Sequence, residues 1–258
     1  MNTVEYQQLL SDFREGAHNM MFSNSTIDAF CSESTPKQLL AVVRMLSIEL
    51  DTRAENKRRR LFKQAAFPAI KSIEDFDFSG VQLGDGYTVE DLVSLAFVDK
   101  AENLVLYGPS GRGKTHLAIA LGILAAKNSM PVRFYTAADL VYTLSAARRT
   151  NTLEKIYSQI ERSSMTIIDE FGYIPFDAEG ARLLFQVVSK CYESRSLLFT
   201  TNIEFSHWGT VLGDDKLAAA AIDRIVHHGR LITFTGPNRR MESALMMKGK
   251  ALEAKKPV

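Results

Sequence analysis

The chain is 258 residues long, 46% hydrophobic and 24% charged, so it exceeds one average domain and has ample apolar side chain for a core. Its formal net charge of +1 excludes a uniformly basic nucleic-acid coat, and any such contact must come from local clusters. Cys31 and Cys191 lie far apart and outside metal-ligand spacing, which excludes a disulfide framework and points to a reducing compartment.

Residues 1–16 are polar and mixed in charge, without the apolar core of a signal peptide. No stretch approaches the ~20 apolar residues that span a bilayer, so a cytoplasmic protein with no membrane partner is expected. Residues 1–66 read as a small all-helical N-terminal domain. A first helix is predicted over 3–17. A longer one starts at Thr35-Pro36, where proline suits a first helical turn. Its Leu39, Leu40, Val43, Leu46, Leu50 and Leu61 are spaced for one apolar face. Residues 53–63 of this helix carry six basic residues against one glutamate. Such a run is either a solvated face or a nucleic-acid contact. Phe67-Pro68 ends the helix, and 67–86 reads as an extended linker closing in a glycine turn.

From residue 87 to 247 strand and helix alternate, which predicts an α/β domain with a parallel sheet and crossover helices. Helices are expected over 89–97, 116–127, 138–149, 153–161, 178–193 and 216–227. Strands are expected over 104–107, 132–136, 165–168, 197–201 and 230–235. Residues 248–258 read as a basic tail, expected to be disordered.

Between the strand at 104–107 and the helix at 116–127 lies Gly108-Pro109-Ser110-Gly111-Arg112-Gly113-Lys114-Thr115, a complete phosphate loop in its required strand–loop–helix context. The glycines let backbone N–H groups turn inward onto phosphate oxygens, backed by the positive end of the helix dipole. Lys114 reaches the β- and γ-phosphates, the Thr115 hydroxyl suits Mg²⁺, and His116 follows directly in the nucleotide-binding set. The strand 165–168 runs into Asp169 and Glu170, where Asp169 suits Mg²⁺ beside Thr115 and Glu170 suits polarisation of an attacking water. The strand 197–201 delivers Asn202, which is either a water-orienting residue or a plain polar strand end. Arg224, Arg239 and Arg240 are either charges for a γ-phosphate or ordinary surface arginines. His227-His228, Cys191 and His207 fit no zinc spacing, and adjacent histidines on one helix are expected to face apart.

In this order GPSGRGKTHLAIALG, TIIDEFGY, LLFTTN and AAAAIDRIVHHG, with the linker FPAIKSIEDFDF, resemble the IstB-like ATP-binding proteins, transposition helper ATPases of one insertion-sequence class. The resemblance covers roughly residues 60–245. It implies an AAA+ P-loop ATPase close to DnaC-type helicase loaders and DnaA-type initiators, with a five-stranded parallel sheet in the order 5-1-4-3-2 and a minimal lid. It further implies ATP/ADP and Mg²⁺ as ligands, DNA-stimulated hydrolysis, self-association into a ring or filament on duplex DNA with little sequence preference, and a partner transposase. By position, Asn202 looks like sensor 1, Arg224 like an arginine finger acting on a neighbouring copy, and Arg240 like sensor 2. The family usually has an aromatic residue where this chain has Arg239, which leaves Arg239 and Arg240 both open. Phe76 or Phe78 is placed either to stack on adenine or to pack in the core. DNA contacts are expected from Lys57, Arg58, Arg59, Arg60 and Lys63, with Arg148 and Arg149 as a second set. The alternatives are a replicative helicase loader of the DnaC type and a DNA scaffold whose hydrolysis is incidental.

Overall fold

The computed structural model describes residues 3–242. The expected tail at 248–258, and whatever lid residues 243–247 contribute, lie outside the described residues. The chain forms two compact units, Met1–Arg60 and Leu61–Val258.

The first unit holds α1 (Thr3–Asn19), α2 (Asn24–Glu33) and most of α3 (Pro36–Ala65). Helix α2 is an addition to the sequence reading. Ser23 caps it by accepting from the Thr26 N–H, and Ile27 is its one buried residue. Helix α3 starts with a reciprocal cap, in which the Thr35 N–H donates to Gln38 Oε1 (2.9 Å) and the Gln38 N–H to Thr35 Oγ1 (3.4 Å). The core comprises Leu9, Phe13, Ala17, Ile27, Leu39 and Leu46. Leu40, expected on the same face, is 51% exposed, because one residue along a helix rotates the side chain by about 100° away from Leu39.

In the second unit, α4 (Val89–Val93) and α5 (Ala96–Asp99) replace the single helix expected over 89–97. Leu95 breaks the run in the left-handed region at φ +61°. There follow β2 (Asn103–Tyr107), α6 (Lys114–Lys127), β3 (Val132–Thr136), α7 (Ala137–Arg149), α8 (Leu153–Glu161), β4 (Met165–Phe171), α9 (Ala178–Cys191), β5 (Ser196–Thr201), α10 (Trp208–Leu212), α11 (Asp215–His227), β6 (Gly229–Phe234) and α12 (Arg239–Glu242). Before them, β1 (Val81–Gln82) pairs antiparallel with β6. The sheet order is β1-β6-β2-β5-β4-β3.

The expected five-stranded parallel sheet is therefore corrected to a six-stranded mixed one. Its five parallel members, counted from β2, run 5-1-4-3-2, and β1 is added outside β6. The extra strand comes from the segment expected to be a linker. Gly80 accepts from the Thr235 N–H (2.9 Å), and a Cβ on Gly80 would lie 2.5 Å from the Gly236 Cα. Only glycine allows that backbone approach, which folds residues 76–82 back onto the sheet edge.

Alternation along the strands divides the core into two layers. Val105, Ile168 and Phe199 pack with α7, α8, α9, α10 and α11 residues such as Leu140, Tyr157, Leu184 and Trp208. Leu104, Leu106, Ile167 and Leu198 pack on the other face with Leu117 and Leu121 of α6 and with Phe97. Burial on both faces explains why these strands read as continuous apolar runs. Parallel β2, β4 and β5 bring their C-terminal ends to one rim, where crevices of open α/β sheets form. No described helix is long and apolar enough to cross a membrane.

Candidate nucleotide-binding site

Three glycines of the phosphate loop take positive φ: Gly108 (+148°), Gly111 (+80°) and Gly113 (+97°). Gly113 is the N-cap of α6, and no side chain caps the helix there. The left-handed cap at Gly113 favours glycine, and a Cβ there would also press on the Phe76 ring at 3.2 Å. The first N–H groups of α6 are left for an anion. They open on a cavity of about 460 Å³ lined by Lys114, Thr115, His116, Glu170 and Arg240 among others.

Lys114 is only 6% exposed, and its ammonium donates to the carbonyls of Gly108 (2.6 Å) and Pro109 (2.9 Å). Burial pushes its pKa down from 10.5 to about 8; Arg240 and Arg112 add to the fall, and Asp169 opposes it. Phosphate favours the charged lysine, so nucleotide binding takes up a proton wherever the free lysine is partly neutral. ATP affinity is expected to be flat below pH 7.5 and to fall above pH 8, approaching about tenfold per pH unit. Calorimetry at pH 8.5 in buffers of different ionisation enthalpy should show proton uptake. Equal heats in all buffers would contradict a lysine titrating there.

Thr115 Oγ1 donates to Asp169 Oδ1 at 2.9 Å, and Asp169 is 4% exposed. Thr200 links the Glu170 backbone to the Asp169 carboxylate: it accepts from the Glu170 N–H (3.0 Å) and donates to Asp169. A hydroxyl beside a single carboxylate is a donor set of hard oxygens. It fits Mg²⁺, which takes one or two carboxylates and completes its shell with phosphate and water. Glu170 reaches the cavity by a local irregularity. The β4–β5 register shifts between Ile168 and Phe171, and Glu170 sits at φ +59°. That bulge turns an exposed glutamate outward between buried Asp169 and Phe171, re-aiming one side chain at a strand end.

The remaining predicted residues divide. Arg240 lines the cavity near Lys114. Arg239 lines it too, but its N–H bonds the Gly111 carbonyl (3.0 Å). Its guanidinium holds Asp77 (2.8 Å) and lies 5.5 Å from the Phe76 ring centre. It ties the C-terminal strand end and the 76–78 segment to the loop. Arg112 donates to the Thr235 carbonyl at 2.6 Å and does not line the cavity. His116 Nε2 lies 3.2 Å from the Ser72 carbonyl, with its ring 5.3 Å from Phe76. Phe76 edges the cavity and packs on Phe78 (4.8 Å) and Phe234 (6.5 Å); Phe78 does not line it.

Asn202 lines a separate opening with Tyr107, Glu204 and His207, whereas Thr200 lines the nucleotide cavity. Sequence reasoning missed Thr200, together with Lys71 and Tyr173, which also line it. Tyr173 in the GY following the acidic pair was the available signal. Arg224 is not at this cavity either. Its guanidinium bonds the Ala220 carbonyl (2.9 Å) and lies 4.9 Å over the Phe185 ring.

Lys57, Arg58, Arg59, Arg60 and Lys63 are all exposed on α3, and Arg58 pairs with Glu55 at 3.2 Å. Arg148 and Arg149 are exposed at the end of α7, with Arg148 3.5 Å from Glu179.

The expectation that His227 and His228 face apart is corrected. Helix α11 ends at His227, so His228 leaves helical geometry (φ −118°, ψ 47°) and the two ring centres approach to 4.3 Å. With Glu193 they place three potential ligand atoms within 4.8 Å of one another. Tyr192 Oη bonds His227 Nδ1 (2.7 Å) and Glu193 bonds His228 Nε2 (3.1 Å), which accounts for the grouping through protein contacts.

The sequence profile of the family described as IstB-like ATP binding protein matches residues 21–246. The putative ATP-binding protein of insertion sequence IS232 from Bacillus thuringiensis subsp. berliner is 39% identical over 201 residues, covering 78% of this chain and 80% of the relative. The corresponding IS21 protein of Pseudomonas aeruginosa is 38% identical, covering 76% and 74%. Among solved structures, AMPPCP-bound DnaA from Aquifex aeolicus shares the fold at 18% identity and a TM-score of 0.53, over 75% of this chain and 58% of DnaA. On these sequence matches, the chain belongs to the IstB-like ATP-binding protein family.

Proposed function

We propose that this chain is a Mg²⁺-dependent ATPase that assembles on duplex DNA in its ATP-bound form and works with a transposase. The observation that carries this is the convergence of Lys114, the Thr115–Asp169 pair and Glu170 on one cavity behind the open N-terminus of α6. The insertion-sequence relatives and the family match support the transposition setting.

In this reading the loop N–H groups and α6 hold the phosphates, and Lys114 exchanges the Gly108 and Pro109 carbonyls for β- and γ-phosphate oxygens. Thr115 and Asp169 would hold Mg²⁺, which would supply neutralisation of phosphate charge when bound. Glu170 accepts the proton of the attacking water as it adds to the γ-phosphorus, and ADP leaves. Arg240 faces the γ-phosphate from its own chain, and Arg224 serves the site of a neighbouring copy. Asn202, at the end of β5 where it lines the adjoining opening, orients the attacking water in this reading, and Thr200 holds Asp169 and the Glu170 backbone beside it. Lys57, Arg58, Arg59, Arg60 and Lys63, with Arg148 and Arg149, contact DNA phosphates, so binding weakens steeply with salt and reads little sequence.

The test is Glu170→Gln on labelled duplex DNA. Hydrolysis is expected to fall about 10²-fold or more. The ATP-loaded variant should stay on DNA long after the wild-type chain has hydrolysed its ATP and released, with ADP supporting binding of neither. Equal DNA binding with ADP and ATP would sink the assembly switch. Identical release of variant and wild type would make hydrolysis incidental, as in a plain scaffold.

A further inference from the structure

Tyr173 bridges the two halves of the cavity. Its hydroxyl shares a hydrogen bond of 2.8 Å with Ser110 Oγ in the phosphate loop. The tyrosine belongs to the turn that carries Glu170, and its own N–H donates to the Glu170 carbonyl at 3.4 Å. Gly172 between them is at φ +95°. The ring is 47% exposed and lines the cavity. Ser110 adjoins Pro109, whose carbonyl receives the Lys114 ammonium, and that ammonium marks where β- and γ-phosphates go. The Tyr173 hydroxyl is thus held on the phosphate loop while its own turn carries Glu170, and Tyr173, Glu170 and Lys114 line one cavity.

Resting on the nucleotide reading above, we propose that Tyr173 is the contact that distinguishes ATP from ADP. A γ-phosphate replaces Ser110 as the partner of the Tyr173 hydroxyl. An ionised phosphate oxygen is a stronger acceptor than a serine hydroxyl, so the exchange is favourable with ATP. ADP has no oxygen at that place and leaves the Ser110–Tyr173 bond intact. Because Tyr173 and Glu170 share one turn, the exchange also fixes the glutamate over the phosphate that it is to hydrolyse. The ring is exposed and its loss of one oxygen leaves no buried group unpaired, so Tyr173→Phe should fold normally.

The experiment measures binding of AMPPCP and of ADP, each with Mg²⁺, by displacement of a fluorescent ADP. The wild-type preference for AMPPCP should fall about tenfold or more in Tyr173→Phe, through weaker AMPPCP binding and unchanged ADP binding. Ser110→Ala should keep or raise the preference, because the hydroxyl has lost its competing partner. A Tyr173→Phe protein that retains the wild-type preference would overturn the proposal. So would equal losses for both nucleotides in both variants, which is what a merely loop-supporting bond would give. Failure of the wild-type chain to bind either nucleotide would overturn the nucleotide reading itself, and the same titration distinguishes the two failures.

Discussion

Lys114→Ala is expected to weaken ATP binding by about a hundredfold or more and to remove ATP-dependent DNA assembly, while the protein keeps or gains thermal stability. The first effect follows from chemistry, because the ammonium makes charge-assisted bonds to ionised phosphates, each about 1.5–3 kcal/mol against a charged partner. The second follows from the lysine's own environment. Burial lowers its pKa from 10.5 to about 8, so the folded protein disfavours the charged form. Between pH 8 and 10.5 the unfolded chain binds more protons, and stability rises with pH through that window. Below pH 8 the lysine is charged in both states and the folded state carries the full desolvation penalty. Alanine removes it at pH 7, leaving the Gly108 and Pro109 carbonyls to water or to the loop. Thermal unfolding at pH 7 and nucleotide titration check both halves together. A variant that unfolds early would make its binding loss uninformative, and one that still assembles on DNA with ATP would end the switch model.

The nucleotide loop was legible because its chemistry is written in contiguous residues. Lys114 and Thr115 follow the glycines directly, and Asp169-Glu170 end an apolar run whose parallel pairing brings them to the same rim. What escaped depends on register and on distant backbone. Thr200, Thr201 and Asn202 are three polar residues in a row, and no local pattern says which faces the cavity. Side-chain alternation along β5 and its pairing with β4 decide it, and Thr200 is the one bonded to Asp169. Strand β1 is two residues long and rests on the contact of Gly80 with Gly236, 156 positions away in number and adjacent in space. Helix α2 was hidden because its ten residues bury only Ile27, too little for a visible apolar stripe. The histidine pair turned on where α11 ends; one more helical residue would have sent the rings apart.

Arg224→Ala is expected to leave ATP binding within about twofold of wild type and to lower DNA-stimulated hydrolysis by about 10³-fold, the scale of a missing arginine finger. The geometry separates these effects. Arg224 does not line the cavity that holds Lys114 and Glu170, and in the proposed reading it serves the site of a neighbouring copy. Its guanidinium instead lies along α11 on the Ala220 carbonyl and over Phe185 of α9. Those contacts are part-buried, and in the proposed reading the guanidinium exchanges them for the γ-phosphate of the neighbouring copy. The discriminating measurement is a mixture. Glu170→Gln subunits keep Arg224 and assemble on DNA with ATP but cannot activate the water, and Arg224→Ala subunits hold nucleotide but lack the arginine. Each alone should be inactive, and mixing them on DNA should restore hydrolysis at those junctions where an intact Arg224 faces an intact Glu170. Undiminished hydrolysis by Arg224→Ala alone would remove it from the reaction. A loss that mixing fails to rescue would assign Arg224 to the packing of α11 on α9, and the site would then be complete within a single chain.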